Sequence, residues 1–204
     1  MEITYLGQSC LRLRGRDADV LIDPLQNGSK APRLSPDIVV LTEGETDPVK
    51  LHPAEGRPQV VSGPGEYELR GVRVTGIAVG KLTVMRVEVD DVRVVALGRL
   101  QSMLGEEEVD SLGHIDVLAV PVGGGDALNA TDATRLVNLI EPAIVIPVRY
   151  RVDLLSGDFE PVERFAKEMG LADGWAAQPK LNLTGSSGAT EETRVVILEP
   201  RITA

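Results

Sequence analysis

LGRLQSMLGEEEVDSLGHIDVLAVPVGGG (residues 97–125) and ATDATRLVNLIEPAIVIPVRY (residues 130–150) carry the alternation that decides the fold class. Val117-Leu118-Ala119-Val120 is a continuous apolar run of strand length, the pattern of a strand covered on both faces. Ala133, Leu136, Val137 and Ile140 then fall at i, i+3, i+4 and i+7, which predicts a helix with one apolar stripe and Thr131 or Asp132 near its N-cap. Pro142 stops that helix, and Ile144-Val145-Ile146 reads as the next buried strand. Residues 102–112 predict a short acidic helix, whose Glu106-Glu107-Glu108 suits the positive end of the helix dipole.

Downstream, Val162, Phe165, Ala166 and Met169 repeat the helical spacing, with Gly170 as the stop. A polar loop from Gly185 to Thr190 leads into a last strand, Arg194 to Leu198. Upstream the character changes to short strands and turns: Ile3 and Tyr5, Leu11 and Leu13, Val20 to Ile22, Ile38 to Leu41, Val60-Val61, then Tyr67, Val72, Val74 and Ile77. Met85, Val87 and Val89 alternate with Arg86 and Glu88, and Asp90-Asp91 supplies a hairpin turn into Val92–Leu97. Strands first, then helices alternating with strands, give a layered α/β or α+β domain. Pattern alone does not choose among such folds.

The totals bound the function. A chain of 204 residues with 43% hydrophobic and 25% charged residues can bury one sizeable core, and residues 1–204 read as a single domain. Only 3% of residues are aromatic, so that core rests on Val, Leu, Ile and Ala. A net charge of −10 with no Lys/Arg cluster argues against a nucleic-acid partner. Cys10 is the single cysteine, which excludes an intramolecular disulfide and a Cys-based zinc site; a buried core role is its default. The opening MEITYLGQSCLRLRG lacks the basic start and long apolar run of a signal peptide, and no window is apolar enough to span a membrane, so a cytoplasmic protein is expected.

Four blocks narrow the choice: YLGQSCLRLRG with VLIDP (5–15 and 20–24), GPGEYELRGVRVTGI (63–77), the 97–125 stretch, and the 130–150 stretch followed by QPKLNLTGSS and EETRVVIL. In that order and spacing the chain resembles small metallo-β-lactamase-fold hydrolases, the group similar to the ascorbate-phosphate lactonases. The resemblance implies an αββα four-layer sandwich with its active site along one edge of the two sheets.

The same resemblance implies a metal centre built on a His-x-His-x-Asp-His loop, which would lower the pKa of bound water and polarise the substrate. Here that segment reads Leu41-Thr42-Glu43-Gly44-Glu45-Thr46-Asp47-Pro48. Glu43 and Glu45 fall at the first two histidine positions, Asp47 matches the aspartate, and Pro48 has no ligating side chain. The position of the bridging aspartate is Arg99, and that of the closing histidine is Arg149. The loop that carries a further histidine is shortened, because Ile77 runs through Gly80 into the Leu82 strand, and the early Gly-His-Ser-Cys pattern reads Gly7-Gln8-Ser9-Cys10. Neither His52 nor His114, the two histidines of the chain, matches a ligand position.

Two expectations follow. In the first the chain is a pseudoenzyme, a non-catalytic binding or assembly module without a metal. Arg99 and Arg149 then face Glu43, Glu45 and Asp47 in a salt-bridge network replacing the ions, and the pocket takes a small anion. Its protein partners would be a second copy or a paired catalytic relative. In the alternative it is a hydrolase, either through Mg, Mn or Zn held by Glu43, Glu45 and Asp47 or through metal-free acid/base chemistry of these carboxylates. Gly63-Pro64-Gly65 and Gly123-Gly124-Gly125 lack the Lys and Ser/Thr of a phosphate loop and read as turns.

Overall fold

The computed structural model describes residues 1–25, 32, 34–44, 58–153, 155–171, 175–185 and 192–202. Period-two alternation of apolar residues builds the first sheet from β1 (Glu2–Gly7), β2 (Cys10–Arg14), β3 (Asp19–Ile22), β4 (Ile38–Leu41), β5 (Gln59–Ser62) and β12 (Leu181–Asn182), in the order β12-β1-β2-β3-β4-β5. One set of alternate residues, among them Ile3, Tyr5, Leu11, Leu13, Val20, Ile22, Ile38 and Val40, enters the main core. The other set, Leu6, Cys10, Leu21, Val39 and Leu41, forms a second buried cluster with Leu25 on the opposite face. Both faces of this sheet are therefore covered, which is what the unbroken Ile38–Leu41 run predicts.

The second sheet contains β6 (Gly65–Leu69), β7 (Val72–Val79), β8 (Leu82–Val89), β9 (Val92–Ala96), β10 (Val117–Pro121), β11 (Ile144–Val148) and β13 (Arg194–Val195), in the order β13-β11-β10-β9-β8-β7-β6. β6 to β9 are antiparallel neighbours; β9, β10, β11 and β13 run parallel. Asp90 and Asp91 make the β8–β9 turn, as expected, and both take left-handed backbone angles. The β7–β8 connection is only the Gly80-Lys81 turn.

Three helices lie among the described residues: α1 (Glu106–Leu112), α2 (Ala130–Ile140) and α3 (Val162–Glu168). α2 buries Ala133, Leu136 and Val137, and its neighbour α3 buries Val162, Phe165 and Ala166. The mixed α/β architecture with two facing sheets matches the expected fold. Residues 26–31 and 33 between β3 and β4, and 45–57 between β4 and β5, lie outside the described residues.

Three boundaries differ from the sequence reading. α1 starts at Glu106 rather than near residue 102, because Leu104 is buried and Gly105 is extended, its N–H donating to the Glu108 carboxylate at 2.6 Å. The N-cap of α2 is Asn129, whose side chain accepts the Asp132 N–H at 2.9 Å. β13 stops at Val195 instead of Leu198: Val196 still donates to the Val145 carbonyl, but the chain then crosses to the first sheet, where the Arg201 N–H reaches the Tyr5 carbonyl at 2.8 Å. No helix among the described residues is long and apolar enough to cross a membrane.

Candidate functional site

Parallel strands leave their carboxyl ends open to one side, the usual place for a site in α/β sheets. Asp23 follows β3, Thr42 and Glu43 follow β4, Gly98 and Arg99 follow β9, Asp126 sits in the loop after β10, and Arg149 follows β11. Bonds between the sheets bring these ends together: the Thr83 N–H donates to the Thr42 carbonyl at 2.8 Å, and the Arg149 N–H to the Gln8 carbonyl at 2.7 Å. Gly98 is required here, because a Cβ would lie 2.1 Å from the Thr42 hydroxyl and its φ is +56°.

The charged groups form a chain of contacts. Arg99 is bonded to Glu43 through Nε and Nη2, and its Nη1 lies 3.4 Å from Asp126 Oδ2. Arg149 grips the same Asp126 with both arms of its fork, Nε to Oδ1 at 2.9 Å and Nη2 to Oδ2. The Arg149 guanidinium also lies 5.0 Å from the centre of the Phe159 ring, and its side chain is only 9% exposed, against 42% for Asp126. Burial alone would raise Asp126, but the bonds from Arg149 and Arg99 hold it below the ordinary carboxylate range. Bonding to Glu43, and then to Asp126, raises Arg99.

Asp23 is in a different state. Burial pushes its carboxyl up to about 6, against the opposing pull of the Thr42 N–H and hydroxyl, which donate to it at 2.8 and 2.7 Å. Asp23, Gln8 and Arg149 all have left-handed backbones, with φ of 43°, 48° and 54°. Three non-glycine residues in that region at one strand-end cluster mark backbone strain held in place by the surrounding bonds.

The sequence reading placed Arg99 and Glu43 together, and they are together. The sequence also places Arg149 against the 43–47 carboxylates, of which Glu45 and Asp47 lie outside the described residues; among the described residues Arg149 pairs with Asp126, which the Gly123-Gly124-Gly125 turn carries onto the guanidinium. A Cβ at Gly123 would come within 2.2 Å of the Arg149 carbonyl, so the loop depends on its glycine there. Asp126 was missed; an acidic residue straight after a glycine turn at a strand end was the available signal. Glu45, Asp47, Pro48 and His52 lie outside the described residues. His114 is a half-exposed side chain between α1 and β10, 3.3 Å from Asp116. Cys10 is buried in the second apolar cluster, where burial pushes its thiol far up.

A cavity of about 350 Å³ adjoins the network, lined by Thr42, Glu43, Ser62, Lys81 and Thr83. A larger concavity of about 480 Å³ lies on the charged face of β6, β7 and β8. Its charges pair across strands, Arg73 with Glu88 at 3.2 Å, and it stands apart from the strand-end cluster.

The sequence profile of the beta-lactamase superfamily domain matches residues 2–149. The chain belongs to the metallo-β-lactamase superfamily. It is 24% identical to a protein of Lysinibacillus sphaericus named metal-dependent hydrolase, over 80% of this chain and 88% of that one. Among solved structures it is similar to a Thermotoga maritima protein described as a candidate Zn-dependent hydrolase of the metallo-β-lactamase superfamily, at 28% identity and a TM-score of 0.81, covering 97% and 98% of the two chains. A metallo hydrolase from Ignicoccus hospitalis shares the fold alone, at 17% identity and a TM-score of 0.64 over 100% of this chain and 97% of that one.

For a metallo-β-lactamase-fold site the donor set is the test of a metal. Of the described carboxylates at the site, Glu43 and Asp126 already accept bonds from two guanidiniums, which would repel a divalent cation, and Asp23 is bonded to Thr42. Among the described residues no three His, Cys, Asp or Glu side chains group so as to hold an ion. The described donors by themselves do not make up the dinuclear centre of the superfamily, and Glu45 and Asp47 lie outside them.

Proposed function

We propose that this metallo-β-lactamase-fold protein is a non-catalytic module that binds small anions at the Arg99–Arg149 pocket. The observation that carries this reading is one carboxylate, Asp126, shared by two guanidiniums at the strand-end position where the superfamily builds its metal centre. A fork of planar N–H donors, pre-set by Phe159 and backbone bonds, is suited to anion recognition. Pairing with a second copy or with a catalytic relative belongs to the same reading.

A second reading is a hydrolase, and the names of the relatives favour it over the first. The structure offers Asp23 to it: a carboxyl raised to about 6 at the site exchanges protons near neutral pH, as general acid/base work requires. Glu43 with Glu45 and Asp47 would be the oxygen donors for Mg, Mn or Zn in this version.

Metal content by plasma mass spectrometry, on protein purified without chelator and again after incubation with Zn²⁺, Mn²⁺ and Mg²⁺, separates the two. The anion module predicts far less than one ion per chain in every sample. One or more tightly held ions per chain would overturn it and make the hydrolase the working reading.

A further inference from the structure

Asp126 shows what the two arginines recognise. Its carboxylate is held by the full fork of Arg149 and approached by Arg99 Nη1, the geometry in which a free carboxylate would be bound. We propose that Asp126 is a built-in stand-in for a small carboxylate ligand, and that the ligand binds by displacing it. This rests on the anion-pocket reading and names its ligand class and its gate.

The contacts divide in the way exchange needs. Arg149 is fixed: its side chain is almost wholly buried, Phe159 lies against the guanidinium, and the Gln8 carbonyl takes its N–H. Asp126 is exposed by 42%, so its carboxylate can swing into solvent by side-chain rotation. Its backbone need not move: Gly124 donates to the Leu128 carbonyl at 2.9 Å and Ala127 to the Gly124 carbonyl at 3.2 Å, which keeps the turn closed. The receptor is rigid and its occupant is the loose partner.

The neighbouring cavity sets the rest of the ligand. Glu43 belongs to both features, bonded to Arg99 and lining the 350 Å³ space with Lys81, Ser62 and Thr83. Lys81 has no ion pair among the described residues. A ligand with its first carboxylate on the arginines and a second acidic group toward Lys81 suits this layout, and a short dicarboxylate is the simplest such molecule.

The test is calorimetric titration of succinate and acetate into wild type, Asp126→Asn and the double variant D126N/R149K at low salt. Exchange predicts that D126N binds succinate at least tenfold more tightly than wild type, and more tightly than it binds acetate. It also predicts that R149K removes the gain, because an ammonium cannot replace the fork. Equal succinate affinity in wild type and D126N overturns the stand-in while leaving the anion pocket in place. Absence of binding in both overturns the two together. Should D126N fail to fold, Asp126→Ser takes its place, and a wild-type crystal soaked in succinate gives an independent readout. Asp126 turned out with succinate on Arg149 supports exchange, and Asp126 still on Arg149 at saturating succinate overturns it.

Discussion

Asp23 carries its own record of the environment at the end of β3. It is a carboxyl at a left-handed backbone position, bonded twice to Thr42 and raised by burial to about 6. An unfolded aspartate titrates near about 3.9. Between those values the folded chain holds a proton that the unfolded chain has lost, so the stabilisation from Asp23 is whole below about pH 4 and disappears as pH rises through about 6. Asp23→Asn keeps an acceptor for the Thr42 N–H and removes the titration. Its stability relative to wild type should rise across this window, by on the order of 3 kcal/mol by pH 7. Urea unfolding at pH 4, 5, 6 and 7 measures this, and parallel profiles for the two proteins would refute it. The VLIDP string gave no hint of a raised carboxyl, because the cause is burial and a partner nineteen residues away. Arg99 and Glu43 were legible as a pair from their places in the family pattern; Asp126 was not, since the pattern assigned no ligand there.

At the scale of elements, most strands and helices could be read from period and punctuation, and the errors sit at ends. The apolar stripe of α2 placed it correctly, yet the cap went to Thr131 or Asp132 when Asn129 performs it. All three types of residue suit a cap, and only the extended backbone at Asn129 decides between them. Asn129→Ala should therefore cost about 1 kcal/mol. Thr131→Ala removes only an exposed 3.2 Å contact to Glu168 and should change stability by less than about 0.5 kcal/mol. Thermal unfolding of both variants checks the ranking, and a larger loss in the Thr131 variant would contradict the assigned cap. The β8–β9 turn is the opposite case: Asp90-Asp91 between two alternating runs announces a hairpin, and the hairpin is there.

Across the whole molecule, the tail does more than add an edge strand. β13 extends the second sheet, β12 extends the first, and between Val196 and Arg201 the chain passes from one sheet to the other. Leu198 is fully buried, and its carbonyl accepts the Tyr150 hydroxyl at 3.0 Å. Leu198→Ala should cost about 2–5 kcal/mol. At about 2–4 °C per kcal/mol for a chain of this size, that is a drop of about 4–20 °C in Tm by scanning calorimetry. A drop below about 2 °C would mean that the tail is ornament. The sequence read these residues as one strand through Leu198, and nothing in their composition could show that they change sheets half-way.

That crossing has a consequence for assembly. Both sheets receive an edge strand from residues 181–195, so neither is finished until that segment has docked. A product cut short before residue 194 would expose the flank of β11 and the face beneath Leu198 together. A break in this one segment would therefore leave defects on both sheets along a single unfilled seam, the kind of exposed strand edge that invites misassembly.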